Sequence, residues 1–339
     1  MADTSFHFCI HGAGGLGSVI GGYLANAGHR ATLIARPKHV DAIRKDGLRI
    51  TGTRGEFCIR KNLQAVTHPS EVEGDIDYYI LLTKAKGTAA ALADAKVLVE
   101  RVRNATTLQN GIHQEEALYQ IFSKDQVFGA SIMEAGVLVE PGLARNHMTV
   151  PTTAYFGELE GGVSERTEDI AAALRGADLG AKAVEDIIHV KWEKLVQVGG
   201  ASAWAASTMP GKPELDFGDG LSVKEGAEHY ATIAKELLTV YHAMGYKPQN
   251  FYAPVSQLKE IDALDFDAAV EHCLALGKRL SSQGRGVRTS MHEDVLAGRK
   301  TEVDEVLAPL KAAAERLGVA APTFIGAYRV IKTLDHYLS

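Results

Sequence analysis

An apolar strand pattern, Phe6-His-Phe-Cys-Ile10, runs almost directly into Gly12-Ala-Gly-Gly-Leu-Gly17, and this junction restricts the possible folds more than any other stretch of the chain. The residues after it, 18–27, predict a helix stopped by Gly28, and Ala31-Thr-Leu-Ile-Ala35 predicts a second strand. Strand, Gly-x-Gly-x-x-Gly turn, helix and strand in that order predict a βαβ unit that binds a dinucleotide. Gly12 then makes the tight turn, Gly14 lets the backbone approach a pyrophosphate, and Gly17 lets the helix lie against the sheet. Gly15 and Leu16 complete the turn, whose free N–H groups and helix dipole attract phosphate. The plain alternative is a glycine-rich βαβ turn without a ligand.

The end of the second strand distinguishes one dinucleotide from another. An acidic residue there holds a ribose 2′-hydroxyl and repels a 2′-phosphate. This chain has Arg36, Pro37 and Lys38, with no acid until Asp41. A guanidinium pairs with phosphate through two hydrogen bonds and stacks on adenine, so the expected cofactor is NADP(H). Otherwise Arg36 and Lys38 are solvated loop charges.

The 339 residues suffice for two domains, and 46% apolar with 23% charged content is ordinary for a globular chain. A net charge of −6 gives no electrostatic case for nucleic acid or an anionic membrane as partner. No apolar run approaches the roughly 20 residues of a membrane span, and the first residues carry no signal-peptide pattern, so a cytoplasmic location is expected. Cys9, Cys58 and Cys273 are scattered and odd in number, and the 13 histidines form no H-E-x-x-H pattern; no metal site is expected.

Strand-like and helix-like patterns alternate through the first half. They predict a short helix at 40–45, short strands at 48–50 and 56–59, a buried strand at 76–83 and a helix at 88–102. Further strands are expected at 105–110, 126–129 and 153–157, with turns at Pro141-Gly142 and Gly161-Gly162. This alternation predicts an α/β domain with a doubly wound parallel sheet over residues 1–185. From 186 to 339 the patterns are helical, at 190–206, 223–244, 265–280, 301–317 and 323–338. Gly218, Gly220, Gly245, Gly284, Arg285, Gly286 and Pro322 punctuate them, so the second domain is expected to be all-α. The ligand cleft is expected at the C-terminal ends of the sheet strands.

Several polar residues sit where they can meet a ligand. Lys84 follows the strand at 76–83, where a cation meets a phosphate, carboxylate or carbonyl; its bland reading is a loop lysine. Asn110, in Leu108-Gln-Asn-Gly-Ile112, also ends a strand, although Asn-Gly often marks only a turn. His147, after Pro141-Gly142, is a weaker candidate. Lys191 and Lys194, in Lys191-Trp-Glu-Lys-Leu195, are spaced to share a helix face. A lysine there either snorkels beside apolar neighbours or, enclosed in a cleft, donates a proton to a carbonyl oxygen that receives hydride. Ser290 lies in Arg288-Thr-Ser-Met291, and Thr301-Glu-Val-Asp304 reads as a helix start with favourable early acids.

The set as a whole resembles a known family. Gly12-Ala-Gly-Gly-Leu-Gly17, Leu33-Ile-Ala-Arg36, Thr83-Lys-Ala85, Gln109-Asn-Gly111, Lys191-Trp-Glu-Lys-Leu195, Thr289-Ser-Met291 and Thr301-Glu-Val-Asp304 are similar, in this order, to the motifs of the ketopantoate reductases (2-dehydropantoate 2-reductases). The resemblance covers nearly the whole chain. It implies an N-terminal Rossmann-type domain, an all-α C-terminal domain and NADPH-dependent reduction of a 2-oxo acid. It also implies Lys194 as general acid, Glu302 as the acid that organises the active site, and Ser290 as the residue binding the substrate carboxylate. Asn110 and Lys84 resemble residues lining the nicotinamide and substrate side, and Arg36 resembles the residue on the 2′-phosphate.

One helix departs from the family. Its lysine helix reads roughly W-x-K-L-x-x-N-x-x-x-N, with two asparagines addressing the substrate, whereas Val198 and Ser202 stand at those positions here. Gly199-Gly-Ala201 between them are small, and Leu307-Ala308 replaces the Asn-Gly that commonly follows the opening of the glutamate helix. A one-residue shift of the helix would instead bring Gln197 to the substrate. The expected protein is an NADP-dependent oxidoreductase of a 2-oxo acid or ketone that recognises ketopantoate's hydroxyl poorly. The alternatives are a family paralogue acting on a more apolar carbonyl or alcohol, and an NADP-binding sensor without turnover. A homodimer is compatible with the resemblance.

Overall fold

The computed structural model describes residues 5–283 and 286–339. The expectations that fall on residues 1–4, and the punctuation at Gly284 and Arg285, lie outside the described residues. Contacts divide the chain into two units, Met1–Gln109 with His113–Val190, and Asn110–Ile112 with Lys191–Ser339.

The first unit runs β1 (His7–His11), α1 (Gly15–Asn26), β2 (Arg30–Ile34), α2 (Pro37–Asp46), β3 (Leu48–Gly52), β4 (Phe57–Ile59), β5 (Leu63–Val66), β6 (Ile76–Leu81), α3 (Thr88–Ala95) and β7 (Val102–Thr107). It continues through α4 (Glu115–Leu118), β8 (Gly129–Ile132), β9 (Ala135–Glu140), β10 (Leu143–Met148), β11 (Ala154–Gly157), α5 (Glu165–Gly176) and β12 (Ala181–Ala183). Five parallel strands lie in the order β5-β2-β1-β6-β7. Both faces of this sheet are covered, so its central strands are almost continuously buried. Phe8 and Ile10 pack with Val19, Ile20 and Leu24 of α1, while Cys9 between them faces a separate cluster with Tyr79, Leu92 and Leu98. The strand order reverses between β1 and β6, so the topological switch point falls at the end of β1, where the glycine turn begins.

Two smaller sheets, β4-β3-β10-β9 and β12-β11-β8, complete the unit. β5, β9, β10, β12 and α5 carry too short or too weakly alternating a pattern to stand out in the sequence; β9, for example, leaves Val137 and Val139 exposed. The strand expected at 126–129 lies at Gly129–Ile132, paired antiparallel with β11. The helix expected at 88–102 ends at Ala95 and tightens into a 3-10 turn over Lys96–Arg101. Val102 is already paired with Ile76, so β7 starts three residues earlier than expected and ends at Thr107.

The second unit is helical: α6 (Ile187–Thr208), of which the residues from Lys191 onward belong here, α7 (Phe217–Leu221), α8 (Lys224–Ala243), α9 (Leu258–Ala263), α10 (Phe266–Ser282), α11 (Ser290–Leu296), α12 (Val303–Val306), α13 (Ala308–Leu317) and α14 (Pro322–Tyr337). The single helix expected at 301–317 is broken at Leu307. Pro309 in the first turn of α13 has no N–H to give and cannot continue α12, but suits a helix start. Trp204 of α6 is wholly buried and donates from Nε1 to the Gly226 carbonyl at 2.9 Å. A Cβ at Gly199 would lie 2.5 Å from Leu310 Cδ1, and one at Gly200 would lie 3.3 Å from Leu237 Cδ1. These two glycines let α13 and α8 close on the middle of α6.

Candidate active site

In the first unit the glycine turn has the geometry its spacing predicts. Gly12 has φ +108°, and a Cβ there would lie 2.5 Å from Thr83 N and 2.6 Å from the Leu82 carbonyl carbon. Only glycine permits the chain just after β6 to approach so closely. A Cβ at Gly17 would meet the Gly12 carbonyl oxygen at 2.8 Å, so this glycine lets α1 settle against the turn. Gly15 is pressed on the other side, where a Cβ would fall 2.2 Å from the Gly136 oxygen of β9. Gly14 differs: a Cβ there would meet nothing within 4 Å. As N-cap of α1 it offers no side chain to the first N–H groups of the helix. Those donors and the open space beside Gly14 are what a diphosphate needs, and Leu16 in the same turn is partly buried.

Arg36 is exposed at the N-cap of α2, directly after β2, and its guanidinium forms no ion pair among the described residues. Pro37 at the first helical position pre-sets the backbone for that cap. Lys84 follows β6 and is exposed at the head of a 3-10 turn, Ala85–Gly87. Gln109 holds this loop, donating from Nε2 to the Thr83 carbonyl at 2.6 Å and to Thr88 Oγ1 at 2.8 Å.

The second unit brings three of the expected residues into one hydrogen-bonded chain. Lys194 Nζ donates to Asn110 Oδ1 at 2.9 Å, and Asn110 Nδ2 donates to Glu302 Oε2 at 3.3 Å. Each comes from a different element: Lys194 from α6, Asn110 from the three-residue segment that groups with the helices, and Glu302 from the N-cap of α12. Withdrawal from water, helped by the neighbouring Lys191 ammonium and opposed by Glu302, pushes the Lys194 ammonium down to about 8. Lys191, one turn earlier on α6, is buried. Glu302 is set in place from behind: Thr301 N and Oγ1 both donate to Asp335 Oδ1 of α14, at 2.6 and 2.8 Å.

Val198 and Ser202 follow Lys194 at four-residue steps along α6, Val198 partly buried against the apolar core and Ser202 buried. Gln197 is hydrogen-bonded to the Tyr230 hydroxyl of α8. Ser290 is exposed at the first position of α11, capped by Thr289, and no hydrogen bond ties it to Lys194, Asn110 or Glu302 among the described residues. His147 is exposed on β10.

Other polar residues escaped sequence reasoning. Glu193 is buried and accepts from Gln249 N at 2.6 Å and Phe251 N at 2.8 Å, pinning α6 to the segment before α9. In the first unit, Arg54 forms a buried bidentate pair with Glu134 at 3.0 and 3.1 Å. Its neighbours Tyr23 and Glu134 are distant in sequence and left no trace in local spacing; Glu193, by contrast, stood beside a lysine already singled out. Among the described residues, no cluster of histidine, cysteine and carboxylate side chains is arranged to hold a metal ion, and no helix is long and apolar enough to cross a membrane.

A parallel sheet with a glycine turn at its switch point, followed by an all-helical unit, defines the class: a Rossmann-type unit joined to a helical one. The family model described as "Ketopantoate reductase PanE/ApbA" matches residues 8–161, and its C-terminal counterpart matches residues 186–335. The chain belongs to the ketopantoate reductase family. A 2-dehydropantoate 2-reductase of Pyrococcus horikoshii is 28% identical over 330 residues, covering 96% of this chain and 96% of the relative. YkpB, an uncharacterized oxidoreductase of Bacillus subtilis, is 28% identical over 326 residues, covering 95% and 96%. A solved structure of D-mandelate dehydrogenase with NADH and anilino(oxo)acetate superposes with a TM-score of 0.74 over 97% of this chain and 98% of that one. At 21% identity that likeness concerns the fold.

Proposed function

We propose that this protein is an NADP(H)-dependent reductase of a 2-oxo acid, with Lys194 as proton donor. The chain Lys194–Asn110–Glu302 is the observation that carries this reading. Asn110 takes one of the three ammonium N–H groups and so orients the other two. Glu302 holds the far side of the Asn110 amide and keeps negative charge near the ammonium. A lysine at about 8 is protonated at neutral pH yet gives up its proton readily, as a general acid should. As a ketone is reduced, a proton leaves Lys194 Nζ for the new alkoxide oxygen. A bound nicotinamide would supply the hydride. Gly12, Gly14, Gly15, Leu16 and Gly17 would hold its phosphates, with Lys84 at the end of β6 and Arg36 on the 2′-phosphate.

Arg36 gives the cofactor preference its test. Arg36→Asp replaces an attracting charge with a repelling one, and a hydrogen-bonded charge contributes about 1.5–3 kcal/mol. NADPH should then weaken by about tenfold or more, with NADH little changed. Equal losses for both cofactors would remove the assignment to NADP(H).

Substrate choice turns on Val198. It cannot hydrogen-bond a substrate hydroxyl, and Gln197, tied to Tyr230, does not take its place. An unpaired polar group costs about 1–3 kcal/mol, or one to two decades in kcat/KM. NADPH oxidation across a panel of 2-oxo acids should therefore show ketopantoate as poor, and acids with an apolar group at that position as better. Ketopantoate outranking every other compound would refute this, whereas Val198→Asn/Ser202→Asn should raise its kcat/KM.

A further inference from the structure

We infer that His39 is a positioning residue for cofactor selection: its imidazole fixes the Arg36 cap at a set place beside the glycine turn. The inference rests on the proposed NADP(H) site. His39 is buried in the first turn of α2, and its N–H donates to the Arg36 carbonyl at 2.9 Å. This backbone bond ties the Arg36 cap directly to His39. His39 Nδ1 receives the N–H of Gly142 at 2.9 Å, so it must be the unprotonated nitrogen. The proton is then on Nε2, which donates to Ser18 Oγ of α1 at 2.9 Å. The Ser18 hydroxyl points in turn to the Ala13 carbonyl, 3.4 Å away, inside the glycine turn.

Every ring nitrogen is therefore used, and the imidazole spans three elements: α2, α1 and the turn between β9 and β10. The third is shaped for this contact. Gly142 has φ +81°, and a Cβ there would lie 3.0 Å from Ala42 Cβ of α2, so glycine alone lets the turn sit this close. Burial, with the Arg36 charge nearby, holds the imidazole below its usual range, which keeps it in the neutral form the geometry requires. Phosphates on the glycine turn and a 2′-phosphate on Arg36 belong to one molecule, so their two holders need a fixed separation. NADH lacks the second phosphate and does not sense it.

Dissociation constants for NADPH and NADH, measured by fluorescence titration on the full chain, test this. His39→Leu should weaken NADPH about tenfold, the loss expected for one or two hydrogen bonds, and change NADH less than twofold. His39→Gln, which can both accept and donate, should recover most of the preference. Ser18→Ala, cutting only the Nε2 bond, should give a smaller loss in the same direction and keeps the test alive if His39→Leu does not fold. Parallel losses for both cofactors, or an unchanged ratio in His39→Leu or Ser18→Ala, would overturn the inference. Wild-type protein without preference for NADPH would instead overturn the NADP(H) reading on which it stands.

Discussion

Lys194→Ala should lower kcat by about 10²- to 10⁴-fold while leaving the dissociation constant of NADPH nearly unchanged. General acid catalysis is worth that range, and the glycine turn and Arg36 lie in the other unit, outside the hydrogen bonds that Lys194 makes. The pH profile supplies an independent check. The donor must be protonated to act, so with an ammonium at about 8 the wild-type kcat should fall as pH rises through that value. Asn110→Ala should cost less than Lys194→Ala, because the proton donor survives but loses its orienting partner. Turnover retained in Lys194→Ala would mean that the proton comes from another group and that Lys194 is held by its neighbours for packing.

The largest stability loss is expected at Arg54. Its side chain is 9% exposed and that of Glu134 is 0% exposed. All five guanidinium N–H groups are directed at acceptors: Nε at the Asp178 carbonyl, Nη1 at Glu134 and Asn146, and Nη2 at Glu134 and Thr149. The guanidinium also lies 5.5 Å from the ring centroid of Tyr23 in α1. Arg54→Met keeps an apolar stem but strands the Glu134 carboxylate without its countercharge. Breaking a buried pair in this way costs about 3–5 kcal/mol, read as a lower urea midpoint. Arg54→Met/Glu134→Gln should recover much of that loss, since the stranded charge goes too. A loss below about 1 kcal/mol in the single variant would show that water screens the pair.

The parts of this molecule that were legible in the chain are those in which chemistry and spacing are local. Gly12 to Gly17 announce a turn because strand, turn and helix follow one another without interruption. Arg36 is readable because it closes β2 and opens α2. Lys194 and Glu302 stood out from their settings only as alternatives, since a lysine on a half-apolar helix and an early acid each have a plain explanation, and the resemblance supplied their expected roles. Their joining through Asn110 spans sequence separations of 84 and 192 residues, and no local pattern encodes that. Arg54 and Glu134, 80 residues apart, were invisible for the same reason. The break at Leu307 was readable from Pro309 and was missed because the apolar spacing continues across it.

The excursion of Asn110–Ile112 into the helical unit bears on how such a chain can be inherited in pieces. A hybrid joining residues 1–190 of one family member to the remainder of another would draw its lysine and its glutamate from one parent and the amide between them from the other. The visible boundary at Val190 is therefore a poor crossover point. A swap that keeps this trio from one parent must carry the short stretch around Asn110 along with the helices, so three residues on the far side of the seam set where such a chain can be cut.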